Sequence, residues 1–92
     1  MTQYNLPPEA ELIKTQLKSI LGQYRVMNAS ITQRLKAMGF QITKRRTHYK
    51  IYYMLDMSRF VVYPSTASEY RTGKILASKT FRYLILPYFL NH

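Results

Sequence analysis

The chain has 92 residues, a length that predicts one domain near the lower size limit for folding without covalent support. It contains no cysteine, which excludes a disulfide framework and a thiolate metal site. Fourteen basic residues against four acidic ones give a net charge of +10, which predicts a polyanionic partner, either a nucleic acid or an anionic membrane surface.

The same composition excludes several classes of site. Four acidic residues, two of them close together near the N-terminus, provide no paired-carboxylate or two-metal centre, and no His and Asp spacing suits zinc. Three scattered glycines provide neither a P-loop nor a dinucleotide fingerprint, so we expect no cofactor. The longest apolar run, residues 83–90, contains a proline and is far shorter than the roughly 20 residues that span a bilayer. With no signal-peptide pattern, we expect a cytoplasmic protein that is not bound to a membrane.

The first predicted element is a helix that begins at Pro7-Pro8 and ends at Gly22. Glu9 and Glu11 suit the positive end of its dipole. Its predicted apolar face consists of Leu12, Ile13, Leu17, Ile20 and Leu21. We expect this face to pack either on the same domain or on a second copy in a homodimer. Two Glu balance two Lys on this helix, which argues against an interfacial membrane anchor.

A second helix follows at residues 30–38. Ser30–Gln33 has the form of a capping box, and Asn28 is a rival N-cap. Ile31, Leu35 and Met38 form its apolar stripe. Gly39 stands where a left-handed residue ends a helix.

Three strands are predicted next, over residues 40–45, 48–54 and 59–63, with residues 55–58 as a hairpin loop. Strand alternation places His48, Lys50 and Tyr52 on one face of the second strand, which we expect to face outward. The predicted core side consists of Tyr49, Ile51, Tyr53, Phe60 and Val62.

The last predicted element is a helix that begins at either Thr66–Glu69 or Thr72-Gly73 and that Pro87 limits. Its apolar face consists of Leu76, Ala77, Thr80, Phe81 and Leu84. The predicted fold is therefore α+β, with a three-stranded antiparallel sheet packed by helices in the order α-α-β-β-β-α. Residues 1–92 make one domain, in which an N-terminal helix within residues 1–28 is added to a core at residues 30–86.

The charge is concentrated after residue 30. Residues 31–92 carry 11 of the 14 basic residues and two of the four acidic ones. A surface that is merely soluble would interleave both signs, so this imbalance favours nucleic-acid binding over a solvated face. Arg34, Lys36, Lys44, Arg45, Arg46 and Lys50 fall within 17 positions with no acid between them. We predict that all six bind nucleic acid, that Lys44, Arg45, Arg46 and Lys50 contact phosphates, and that Tyr52 stacks on a base.

His48 is the candidate catalytic residue. A histidine titrates near neutral pH, so it can accept a proton from a ribose 2′-hydroxyl or donate one to a leaving oxygen. Neighbouring Lys or Arg side chains stabilise charge that develops on the phosphate. This set suffices for RNA cleavage without a metal, although an exposed histidine between basic residues is more often part of a binding face. The residues alone leave open whether the protein is an enzyme.

Residues 35–84 resemble the HicA family of bacterial toxins. The resemblance rests on Leu35–Phe40 (the family's Leu-x-x-x-Gly-Phe), Thr47-His48 (its Gly-Ser/Thr-His), Arg59–Pro64 and Glu69–Leu76, in that order. The family's members are small basic ribonucleases that have a fold like that of double-stranded-RNA-binding domains and pair with a HicB antitoxin. Arg46 stands where the family has the glycine before Ser/Thr-His.

The resemblance implies a double-stranded-RNA-binding-like fold, a metal-independent endoribonuclease that acts on mRNA, and His48 at the catalytic position. It also implies an acidic, antitoxin-like protein partner that neutralises the basic region. Because Arg46 stands in place of the family's glycine, a second possibility is a relative of the family that binds RNA but does not cleave it.

The alternative is a winged-helix DNA binder. Residues 12–21 and 30–38 would form its helix-turn-helix, with the strands as the wing. Arg34 and Lys36 would then face DNA from the recognition helix, and His48 would have no role.

Overall fold

The computed structural model of the chain describes residues 6–67 and 71–91. The elements are α1 (Pro8–Leu21), α2 (Ala29–Ala37), β1 (Phe40–Arg45), β2 (His48–Tyr53), β3 (Asp56–Pro64), α3 (Thr72–Thr80), a π-helical turn (Phe81–Ile85) and α4 (Leu86–Asn91). The strands form one antiparallel sheet in the order β1-β2-β3, with the helices packed on it, which confirms the predicted α+β class. The finer likeness to double-stranded-RNA-binding domains stays a prediction. Within the described residues, no helix is long and apolar enough to cross a bilayer.

Helix α1 begins at Pro8, as predicted, and Gly22 caps its C-terminus. Its core side consists of Ala10, Ile13, Leu17, Ile20 and Leu21. The prediction for Leu12 is wrong, since its side chain is 58% exposed. The core side is spaced by threes and fours from Ala10, and a residue two positions after Ala10 falls on the opposite side of the helix.

The apolar side of α1 packs within its own chain, against α3. Leu17 and Leu21 are fully buried there. The two helices approach so closely that a Cβ atom built on Gly73 would lie 1.8 Å from the carbonyl oxygen of Leu21. A homodimer through α1 stays a prediction, and it would have to use Leu12 rather than the buried side.

Asn28, rather than Ser30, is the N-cap of α2. Its side chain accepts a hydrogen bond from the Ile31 N–H at 2.9 Å, which satisfies one of the free donors of the first turn. Gly39 follows the helix with φ +98°, the left-handed conformation predicted for it. Leu35 is fully buried and anchors α2 on the core.

The hairpin between β2 and β3 is tighter than predicted. Strand β3 begins at Asp56, which pairs with Tyr53, so only Met54 and Leu55 form the turn. The predicted loop at residues 55–58 is therefore wrong. The Asp56 carboxylate accepts hydrogen bonds from the Ser58 N–H at 3.2 Å and the Ser58 hydroxyl at 2.6 Å. Asp56 and Ser58 therefore form a local turn, but it lies within the first residues of β3 rather than in a loop.

Helix α3 begins at Thr72, the later of the two predicted starts. Thr66, the cap of the alternative start, instead forms an isolated antiparallel bridge with Val26. The rest of that alternative, at residues 68–70, lies outside the described residues.

Pro87 does not end the C-terminal helix, contrary to prediction. A proline clashes with the carbonyl four residues earlier in a regular α-helix and cannot donate to it. Here the π-helical turn comes directly before α4, and the Leu86 N–H donates to the Phe81 carbonyl five residues back. The wider turn relieves the clash, and α4 continues to Asn91.

The core lies between the helices and one face of the sheet. Its buried members are Leu17, Leu21, Tyr24, Leu35, Phe40, Ile51, Tyr53, Val61, Tyr63, Leu76, Ala77, Phe81, Leu84 and Ile85. The predicted α3 face, including Thr80, is confirmed. The Tyr63 and Thr80 hydroxyls share a hydrogen bond, and Thr80 also donates to the Leu76 carbonyl at 2.7 Å. Burial raises the pKa of Tyr63.

Candidate nucleic-acid interface

The sheet has an outer face, turned away from the helices, and β2 places three predicted site residues on it. Ile51 and Tyr53 are buried against the helices, so alternation puts His48, Lys50 and Tyr52 on the outer face, as predicted. Antiparallel pairing places β1 and β3 on either side of this row.

The outer face also carries two β3 residues that the sequence assigned to the core. Phe60 is 47% exposed and Val62 is 40% exposed, whereas Val61 and Tyr63 are buried. The prediction for Phe60 and Val62 is wrong because four consecutive apolar residues carry no alternation that distinguishes the two faces. The face on which Phe60 lies is set by strand pairing: Phe60 lies opposite Tyr52 and therefore shares its face.

Tyr52, which is half-buried, and Phe60, which is exposed, form an aromatic pair on the outer face. Their ring centroids are 5.7 Å apart, with the planes inclined at 46°. The Lys50 ammonium lies over the Phe60 ring, 4.6 Å from its centroid. Two rings and a cation thus form one surface, which can stack on a nucleobase and attract the phosphate next to it.

His48 lies at one end of the outer face, where β2 begins. It is exposed, and its register neighbours are Arg45 on β1 and Pro64 on β3. The Thr47 hydroxyl lies 3.0 Å from His48 Nδ1, and the tautomer decides which of the two atoms donates. This contact limits rotation of the imidazole, while the ring stays accessible.

The β1–β2 turn supplies a further cation beside His48. Arg46 is exposed and has φ +29°, in the region that favours glycine. The resemblance to the HicA family predicts glycine at this position, and the backbone of Arg46 has a conformation that favours glycine. The Ser65 N–H donates to the Thr47 carbonyl at 3.0 Å, which ties this turn to the end of β3.

Three predicted nucleic-acid-binding residues lie elsewhere. Lys44 pairs with Tyr49, which packs on the core, so Lys44 belongs to the inner side of β1, at its exposed end. Arg34 and Lys36 lie in the last turn of α2, exposed on the helical layer. Of the eight predicted site residues, the structure therefore brings together five: Arg45, Arg46, His48, Lys50 and Tyr52.

The sequence reasoning missed Phe60 as a member of this surface. Its side is decided by an irregularity in the β2–β3 pairing: Tyr53 pairs with Asp56 but Tyr52 pairs with Phe60, a shift of three residues on β3. Regular pairing from the two-residue turn would have placed Phe60 on the core side, so the turn alone could not have identified it. Among the described residues, no group of three or more His, Asp or Glu side chains is placed to hold a metal ion.

Comparison of the chain with protein-family models, with curated proteins and with solved structures finds no match. The resemblance to the HicA family therefore stays a prediction, and the site must be interpreted from its own geometry.

Proposed function

We propose that the protein binds single-stranded RNA through the outer face of its sheet. The observation that carries this proposal is the Tyr52–Phe60 pair on the outer face, with the Lys50 ammonium over the exposed Phe60 ring. Such a surface stacks on unpaired bases of any sequence, while neighbouring cations attract the phosphates. The net charge of +10 adds a long-range attraction for the same ligand.

A single strand fits this face better than a duplex. Bases in a duplex are stacked on each other and hide their faces from an aromatic side chain. Duplex DNA is usually read by a helix in the major groove, and the cations of α2 are on the other side of the sheet from the aromatic pair.

The test is a titration of fluorescent oligouridylate at several salt concentrations. Replacing Tyr52 or Phe60 by leucine should weaken binding roughly 5- to 150-fold, since base–aromatic stacking contributes about 1–3 kcal/mol per base. The double variant Arg45→Ala/Lys50→Ala should also lower the salt slope by about 0.7 for each phosphate that the protein no longer neutralises.

The matched control is Arg34→Ala/Lys36→Ala, which removes two charges from the helical layer. We expect it to retain most of the affinity. If this control loses more affinity than the outer-face variants do, and the protein prefers duplex DNA, the winged-helix alternative is supported instead.

A second function, metal-independent RNA cleavage, is favoured by the position of His48 at the end of the same face. Its imidazole, oriented by Thr47, would take the proton from a ribose 2′-hydroxyl. The 2′ oxygen then attacks the phosphorus, the bond to the 5′ oxygen breaks, and the 5′ oxygen takes a proton from water. The hydroxide so formed takes the proton from the imidazolium, which returns His48 to its neutral form. Arg45, or Arg46 in the adjacent turn, would stabilise the charge on the phosphate oxygens. The products are a 2′,3′-cyclic phosphate and a 5′-hydroxyl.

Cleavage is tested by incubating RNA with the protein in EDTA. The account predicts 2′,3′-cyclic phosphate ends for the unaltered protein and none for His48→Ala, with circular dichroism showing that both are folded. If both bind RNA and neither cleaves it, the enzymatic function is wrong and the binding function stands.

A further inference from the structure

A groove on the helical side of the molecule is distinct from the outer face of the sheet. Helices α1 and α3 run antiparallel, closest where Gly73 meets the Leu21 carbonyl. Toward Leu6 and Leu86 they enclose a groove of about 820 Å³. None of the five clustered site residues of the outer face lines it.

Cations from both helices line the groove. Lys14 and Lys18 are one turn apart on α1, and Lys74 and Arg82 are two turns apart on α3 and the π-helical turn. Glu11 is the one acidic side chain among the described residues that line it. The groove is therefore strongly electropositive.

The floor of the groove is apolar. It consists of Leu6, Ala77, Phe81 and Leu86. The Lys14 ammonium lies 5.4 Å from the centroid of the Phe81 ring, so the cationic rim and the apolar floor meet. Basic rims over an apolar floor match the two faces of an acidic amphipathic helix.

We propose that this groove binds an acidic amphipathic helix of a partner protein. Its apolar residues, at i, i+3, i+4 and i+7, would lie on Phe81 and Leu86, and its carboxylates would reach Lys18 and Lys74 on either rim. Charge complementarity argues for this occupant. Apart from Phe81 the floor is aliphatic, and nucleobases stack on aromatic rings rather than on aliphatic side chains, so RNA fits this floor less well.

A second copy of this chain is a poor occupant. The chain has 14 basic residues and four acidic ones, so two copies repel each other, most strongly where both present cations. Its most acidic helix, α1, already forms one wall of the groove.

The test uses a synthetic helical peptide of about 15 residues, with leucine at heptad-like spacing and glutamate elsewhere. Its control has the same composition in an order that gives no apolar face. We expect the unaltered protein to bind the amphipathic peptide. The control peptide should bind at least about tenfold more weakly, as measured by fluorescence anisotropy.

Charge reversal locates the site. The variant Lys18→Glu/Lys74→Glu should bind the amphipathic peptide at least about tenfold more weakly than the unaltered protein does. The matched variant Lys36→Glu/Lys79→Glu, with the same change of charge at exposed positions that do not line the groove, should stay within about threefold.

Four results would overturn the proposal: no binding by the unaltered protein, equal binding of both peptides, equally weakened binding in both charge-reversed variants, or displacement of the peptide by oligouridylate. Sedimentation that shows a dimer which the peptide dissociates would assign the groove to a second copy. The peptide titrations themselves involve no residue of the outer face, so their result does not depend on whether that face binds RNA.

Discussion

Replacing Gly73 by alanine should strongly destabilise the protein, because the added methyl group has no room. The Cβ atom would lie 1.8 Å from the Leu21 carbonyl oxygen and 3.0 Å from the Tyr24 backbone nitrogen. Both neighbours are backbone atoms, so neither can turn away as a side chain would. To lengthen the first distance to 3.0 Å, α1 and α3 must separate by at least 1.2 Å.

The size of the effect follows from what lies between these helices. Leu17, Leu21 and Leu76 are buried there, and separation of the helices loosens their packing. Overpacking of a core costs about 1–3 kcal/mol, and we expect the upper end of this range because the clash is with backbone. For a domain of this size, that destabilisation lowers the melting temperature by roughly 12–20 °C.

Thermal and urea unfolding, followed by circular dichroism, measure this destabilisation directly. In an open helical position alanine is more favourable than glycine by up to about 1 kcal/mol, so the sign of the change is itself informative. Ser78→Ala, at an exposed position of α3, is the matched control and should change stability by less than about 0.5 kcal/mol. An unchanged or raised melting temperature for Gly73→Ala would refute the close approach of α1 and α3.

Three further predictions concern local structure. Asn28→Ala should lower the free energy of unfolding by about 1 kcal/mol, while Asn28→Asp should keep the N-cap; equal stability of all three proteins in urea would show that the cap is not formed. Arg46→Gly should raise stability by about 1 kcal/mol because φ +29° suits glycine, and a lower melting temperature would contradict this. Burial raises the pKa of Tyr24 to about 12, above its value near 10 in the unfolded chain, so its contribution to stability is complete below pH 10 and is lost as the pH rises toward 12. The free energy of unfolding in urea should fall over that interval by about 1.4 kcal/mol per pH unit for each tyrosine held protonated, and less steeply in Tyr24→Phe. Parallel curves for the two proteins would exclude this role for Tyr24.

The sequence predicted the elements of this fold because each has a strong local signal. The end of α2 at Gly39 and the alternation of buried and exposed residues in β1 and β2 depend on residues that are close in the sequence, so the sequence predicts both correctly. The rotation of α1 was predicted less well, because Leu12 and Ile13 are adjacent and equally apolar. The spacing by threes and fours from Ala10 through Ile13, Leu17 and Leu21 excludes Leu12 from the buried side, but Ala10 is too small to stand out as a core residue in the sequence.

The candidate site was predicted in part for a similar reason. His48, Lys50 and Tyr52 alternate with buried residues, so their shared face could be derived from β2 alone. Phe60 could not be assigned in this way, because its neighbours in β3 are apolar on both faces and its direction follows from the pairing with β2. The groove between α1 and α3 depends on packing between distant segments and has no sequence signal of its own.

The most direct test of the account is an NMR titration of the ¹⁵N-labelled protein with a short oligouridylate. Binding through the outer face predicts amide shift changes concentrated at Lys50, Tyr52 and Phe60, with those of Arg34 and Lys36 unchanged. Changes confined to Arg34, Lys36 and their neighbours on α2, or no changes at all, would contradict the proposed RNA-binding face.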